Sequence, residues 1–312
     1  MSTIQLDHII TFANVPNLDD YMEDYRSRGF IVSEATHRYK PGLRNRFISL
    51  GCEYVELVWV EEETVFAGGG AEDFARMFSD LPGLRQAARP FSIGFKSANV
   101  DTLHQAWTER GYALPEVWSF APPDLPPVFS FQVIPDDLLP GMQNFALTYW
   151  GETGGQVRQV PVAPNTIYAL EGVTLVSGTP ERDAARWRDV LAPDAVIHQD
   201  TRACSFRLAA HTLHWMTAEQ YRSAYNLNWM GPSPDQRGFG ALHLLATDLD
   251  QVATRVGAGV IRSRRDAQDD LSFVIGPGAF DGLTFIIREY PVEAWRAERA
   301  ARTGERLVVL VS

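Results

Sequence analysis

The chain has 312 residues, 45% of them hydrophobic and 21% charged, with a formal net charge of −11 at pH 7. That length suits two domains of ordinary size, and so acidic a field repels the phosphates of nucleic acid and of anionic membranes. Its two isolated cysteines, Cys52 and Cys204, exclude a disulfide framework or a cysteine-based zinc site and are expected as small buried hydrophobes in a reducing compartment.

The first strand runs from Ile4 to Phe12, and strict alternation places Ile4, Leu6, His8, Ile10 and Phe12 on one face. An imidazole on an apolar strand face is either hydrogen-bonded in a core or placed there for chemistry. Leu18, Tyr21, Met22 and Tyr25 then form one stripe of a short helix that Gly29 ends. "FIVSEA", "RFISLG" and "YVELVWV" follow as three strands. The unit is βαβββ.

The pattern recurs from "FSIGFKSANVDTLHQAWTERGY", whose helix stripe is Val100, Leu103 and Trp107 and whose later strands fall around 112–118, 128–134 and 144–150. A third copy starts at "LEGVTLVSGTPERDAARWRDVL", with Thr179 as N-cap and Pro180 at the first helical position. The fourth is "GALHLLATDLDQVATRVGAGV", capped by Asp248, with "LSFVIG" and "LTFIIREY" behind it. A four-stranded sheet with one helix cannot cover both its faces, so the units should pair, first with second and third with fourth. The polar, Gly-rich "GETGGQVRQVPVAPN" is the expected junction between 1–151 and 164–292, with 293–312 a C-terminal extension.

Four βαβββ units, opened by "LDHI" and with "YVEL" closing the first, resemble the vicinal oxygen chelate superfamily. Its members include glyoxalase I, extradiol dioxygenases, fosfomycin-resistance transferases and bleomycin-binding proteins. The first half is most similar to the glyoxalase-like domain, through "ATHRYKPGLRNRFISLGCEYVELVWVEEE". The resemblance implies an α+β fold of four βαβββ modules in two paired-module, glyoxalase/bleomycin-resistance/dioxygenase-like domains. It further implies that His8 and Glu56 hold a divalent metal (Zn, Fe, Mn, Ni or Co) in the cleft of modules 1 and 2, with a small-molecule ligand beside it. The chemistry is reasonable, since imidazole nitrogen and carboxylate oxygen suit ions of borderline hardness. No third protein ligand is identified: the second module offers Ser92 on its first strand and Thr148 and Tyr149 on its last, whereas a catalytic site keeps three firm ligands. Tyr149 is therefore a candidate phenolic donor, and Glu56 a candidate general base if no metal is bound.

His37 and Asn45 match recurrent family positions and are the expected substrate-side residues. Together with Arg44 they lie in "HRYKPGLRNR", whose basic side chains either attract an anionic substrate or form a solvated loop balanced by acids. In the second half the position matching His8 falls near Gly172 and Ala241, with His243 nearby and Glu289 as a partner for it; a core histidine and a surface acid are the plainer reading. His211 and His214, three apart on a strand, face opposite ways. "AGGGAED" lacks a phosphate-loop ending and is expected to be a connector. "NLNWM" leads into a lid or an interface contact. With no basic leader and no apolar run of about 20 residues, the expectation is a cytoplasmic protein without membrane partner. It would be a lyase, isomerase or dioxygenase, or alternatively a metal-free small-molecule binder; a homodimer is left open.

Overall fold

The first strand keeps its alternation only in part. In the computed structural model, β1 (Gln5–Phe12) pairs antiparallel with β6 (Pro90–Lys96), but its register shifts between Leu6 and His8. That β-bulge carries one extra residue, Asp7. Leu6 consequently packs with Ile4 and Ile9 in the helix-side core, while Ile10 and Phe12 belong to a separate cluster on the opposite face. The structure describes residues 4–310 except 14, 35–36, 41, 62–89, 121–127, 152–156, 230–236, 266–270 and 281; of residues 37–40 and 265 it describes the backbone alone.

The first module continues with α1 (Leu18–Ser27), β2 (Ile31–Val32), β3 (His37–Lys40), β4 (Leu43–Leu50) and β5 (Glu53–Val60). The second adds α2 (Val100–Glu109), β7 (Trp118–Phe120), β8 (Phe129–Ile134) and β9 (Gln143–Tyr149) after β6. Helices start where short polar side chains cap free N–H groups: Asn17 accepts from Asp19 N and Asn99 from Thr102 N. Both modules form one sheet in the order β2-β4-β5-β1-β6-β9-β8-β7, with β3 on β4.

The second half builds an eight-stranded sheet in the same way. The third module comprises β11 (Ile167–Val176), α3 (Pro180–Leu191), β12 (His198–Gln199), β13 (Cys204–Leu208) and β14 (His211–Met216). α4 (Ala218–Tyr225) links it to β15 (Gly238–Ala246), α5 (Leu249–Val256), β16 (Ile261–Arg265), β17 (Leu271–Ile275) and β18 (Phe285–Glu289). Thr179 precedes α3 without a side-chain capping bond, and Pro180 supplies the start. The pairing of modules 1 with 2 and 3 with 4 is thus realised as two α+β sheets.

The helices of both halves meet in one core. Trp107 of α2 is buried and donates Nε1–H to Val190 O of α3 at 3.0 Å, and Tyr25 of α1 packs against Phe280. The junction is less of a linker than its composition suggests. β10 (Val157–Pro161) lies within it and pairs parallel with β19 (Arg306–Leu310), reached through α6 (Val292–Thr303).

Candidate active site

The face of the first sheet turned away from the helices carries His8 and Ile10 from β1, Tyr54 and Glu56 from β5, and Phe145, Leu147 and Tyr149 from β9. These side chains line a cavity of about 730 Å³ together with Leu43, Phe47, Phe129 and Phe131. The walls are mostly aromatic and aliphatic; His8 and Glu56 stand among them.

His8 is held on every side. Its ring stacks on Tyr54 with centroids 4.6 Å apart and planes 9° apart, and Phe145 closes the far side at 5.3 Å. Gly94 lies opposite it, where even a Cβ would collide with the imidazole. Nδ1 meets Asp7 Oδ2 at 2.7 Å, and that same oxygen accepts the Tyr149 hydroxyl at 2.9 Å. Tyr149 has one proton to give, so the 3.0 Å contact between the two phenols is a donation from Tyr54 to Tyr149. Burial, with Asp7, Tyr149 and Glu56 nearby, pushes the Tyr54 phenol well above its ordinary pKa, so it remains a donor. The chain Tyr54→Tyr149→Asp7←His8 fixes the imidazole with Nδ1 as the donor to Asp7.

Nε2 looks toward Glu56, whose Oε2 is 3.8 Å away. The other carboxylate oxygen accepts from Asn45 Nδ2 at 2.6 Å. His8, Glu56 and Asn45 are each less than one-tenth exposed. Burying a carboxylate costs several kcal/mol unless it is paired, and Glu56 places one at the wall of the cavity, where its oxygens can accept a ligand proton.

The expected residues are therefore distributed unequally. His8, Glu56 and Tyr149 meet in the cavity and Asn45 supports Glu56. Ser92, the cross-strand partner of Ile10, is fully buried and is not among the residues that line the cavity. Arg44 points elsewhere, toward Asp19 at 3.7 Å and Glu61 at 3.6 Å, and Arg46 is tied to Asp19 at 2.8 Å. Of the two readings of this loop, balance by nearby acids is the one these two arginines follow. His37 pairs with Asn45 through the backbone, and its side chain lies outside the described residues, as does "AGGGAED". Asp7 and Tyr54 were missed: alternation puts Asp7 on the wrong face, and only the bulge brings it round.

Whether these residues fit a divalent metal follows from local symmetry. His8 faces Gly94, Ile9 faces Ile93 and Ile10 faces Ser92, so a two-fold axis passes through the Ile9–Ile93 pair. Glu56 lies opposite Ile10, and Phe145 opposite Gly94. The axis thus carries His8 onto Ser92 and Glu56 onto Phe145. Half of a symmetric donor set is a buried hydroxyl and a phenyl ring. Among the described residues no group of three His, Cys, Asp or Glu side chains converges, which leaves two donors where a catalytic ion takes three.

The second sheet offers one imidazole at the matching positions. Its axis passes through Val173–Leu242, and the four positions hold Gly172, His214, Ala241 and Ile286. His243 bonds Thr174 Oγ1 at 2.7 Å and contacts the His214 ring at 4.9 Å. It does not pair with Glu289, which lies opposite Ala246 and reaches toward Leu249 N. Burial lowers both imidazoles, His214 to about 4 and His243 well below its ordinary value. α4 lies on this face, with Tyr221 and Tyr225 packed against Val176, Met216, Ala241 and Ile286. Trp229 of "NLNWM" packs beside them and donates to Phe239 O.

A family model described as a glyoxalase-like domain matches residues 6–191, more than half of the chain. No curated protein sequence matches the chain. Among solved structures, the Mn(II)-bound glyoxalase from Novosphingobium aromaticivorans is similar in fold, with a TM-score of 0.55 and 13% identity over 100% of this chain and 89% of that one. A hypothetical protein from Staphylococcus aureus reaches a TM-score of 0.55 at 11% identity, over 92% of this chain and 100% of that one. A catechol 2,3-dioxygenase reaches 0.53 at 12% identity, over 92% and 87%. No described helix is long and apolar enough to cross a membrane.

Proposed function

We propose, on the premise that this chain belongs to the glyoxalase-like domain family, that it is an enzyme acting on a small, uncharged, largely apolar oxygenated molecule in the N-terminal cavity. Glu56 is the base that takes a proton from carbon or oxygen next to a carbonyl, and His8 Nε2 is the second proton-handling group. The observation that carries this reading is the pair itself: an oriented imidazole and a buried carboxylate 3.8 Å apart at the wall of an apolar cavity. Proton transfer by a positioned side chain typically accelerates such steps by about 10²–10⁴-fold. Isomerase or lyase chemistry fits this donor set better than dioxygenase chemistry, whose iron takes two histidines and a carboxylate. Asp7 and Asn45 hold the two groups in place. Phe47, Phe129, Phe131 and Phe145 supply the aromatic walls.

The phenyl ring at position 145 favours a second reading, a protein that sequesters an aromatic compound without turning it over. Deuterium exchange next to the carbonyl of phenylacetone, followed by NMR with chelator-treated protein, separates the two. Exchange accelerated by the native chain and lost in Glu56→Gln supports the enzyme. Binding without exchange supports the binder. Exchange that appears only when Mn(II) is restored overturns the assignment of the base to Glu56 alone.

A further inference from the structure

α4 leaves part of its sheet face open. Between its C-terminal end, β16 and the turn after β12 lies a second cavity of about 450 Å³, lined by Arg202, Ser223, Tyr225, Asn226, Arg262 and Arg264 among others. Three guanidinium groups share this space in a chain of net charge −11. Arg264 is half-buried, and Arg202 and Arg262 are exposed at the rim; other arginines with buried or half-buried side chains are neutralised, Arg46 by Asp19, Arg237 by Asp183, Arg288 by Glu171 and Arg299 by Glu53. Arg202, Arg262 and Arg264 form no such ion pair among the described residues. Asp200, two positions from Arg202, is already bonded by the N–H groups of Arg202 and Ala203 at 2.6 and 2.9 Å.

Two of the three arginines are positioned rather than loose. Arg264 lies over the Tyr225 ring, its guanidinium carbon 5.4 Å from the centroid. Arg262 donates Nη1–H to Asn226 O at 2.8 Å, leaving the rest of its fork available. Like charges gathered around one hollow repel each other, and an anion between them reverses the sign of that interaction.

We infer that this cavity is a binding site for a small organic oxyanion, a phosphate ester or a carboxylate. Arg202, Arg262 and Arg264 grip the charged group, and Tyr225, Ala224 and Val274 face its carbon skeleton. Guanidinium forks match the oxygens of such groups in pairs, and the volume lies in the range of small-molecule sites. The site is on the other sheet from the N-terminal cavity and stands whether or not that cavity is catalytic.

Calorimetric titration with phenyl phosphate, benzoate and inorganic phosphate at low salt tests it. The expected result is saturable one-to-one binding of phenyl phosphate or benzoate, weakened at least tenfold in Arg264→Gln and in Arg202→Gln. Arg186→Gln, which removes the same charge from the exposed side of α3, should bind as the native chain does. The preferred probe tells phosphate from carboxylate, and unchanged circular dichroism shows that the variants fold. Arg264→Lys, which keeps charge but loses the fork, should fall between. No saturable heat at millimolar probe, or equal weakening in Arg186→Gln, overturns the proposal.

Discussion

Both sheets place four residues around a local two-fold axis, and they fill those positions differently. The first holds His8, Glu56, Ser92 and Phe145; the second holds Gly172, His214, Ala241 and Ile286. In the first, described residues leave a cavity of about 730 Å³. In the second, Tyr221 and Tyr225 of α4 fill the same face; the corresponding linker of the first half, residues 62–89, lies outside the described residues. One backbone plan therefore carries two different sets of side chains on equivalent sheet faces.

The sharpest way to break this comparison is at the paired positions 56 and 214. Glu56→Gln keeps an acceptor for Asn45 but removes the base, so exchange should drop by roughly 10²–10⁴-fold while phenylacetone, the exchange probe, binds as it does to the native chain. His214→Gln should leave exchange unchanged. Equal losses from both variants would mean that the two faces are not functionally distinct.

Next in size is the tether between the halves. Glu53, at the start of β5, is buried against Arg299 of α6 at 2.7 Å and His211 of β14 at 3.1 Å. Burial alone would raise its carboxyl, but the Arg299 guanidinium and the His211 ring beside it outweigh burial and bring it to about 2. Arg299→Met strands this charge and should cost roughly 3–5 kcal/mol, read as a lower urea midpoint. Adding Glu53→Gln should recover part of that loss. An additive double variant would show that the pair is not coupled. Removing the plug comes third. Tyr225→Ala should destabilise by about 3 kcal/mol and raise phenylacetone stoichiometry above that of the native chain; an unchanged stoichiometry with that stability loss would mean the second face collapses.

Period and spacing made the architecture legible: helix stripes, Gly29, Pro180 and Asp248 give four repeats directly. Alternation singled out His8, while Glu56 and Tyr149 came from the resemblance to the vicinal oxygen chelate superfamily, whose first and last strands line one cleft. What stayed hidden was non-local. Asp7 reaches His8 and Tyr149 only through a bulge, Arg44 is drawn off by acids from α1 and the end of β5, and the Glu53–His211–Arg299 cluster joins three elements far apart in the chain. No hydropathy period records such contacts.

The smallest expected effect is the acid response of the second sheet. His214 and His243 are kept neutral by burial, with His214 at about 4 and His243 well below its ordinary value. An unfolded chain binds protons at these rings below about pH 6.5, and the folded chain does not. Their contribution to stability is therefore complete above pH 6.5 and is lost as pH falls toward 4, at up to about 1.4 kcal/mol per pH unit for each proton taken up. Glu53, whose pKa is also lowered on folding, loses its contribution only below its ordinary value of 4.5. Between pH 6.5 and 4.5 His214 and His243 thus act where Glu53 does not. Between those limits His243→Gln should flatten the fall in urea midpoint with pH, and Glu53→Gln should leave its slope unchanged. A slope untouched by His243→Gln would show that the second face carries no buried proton deficit, and the contrast with the first would then rest on shape alone.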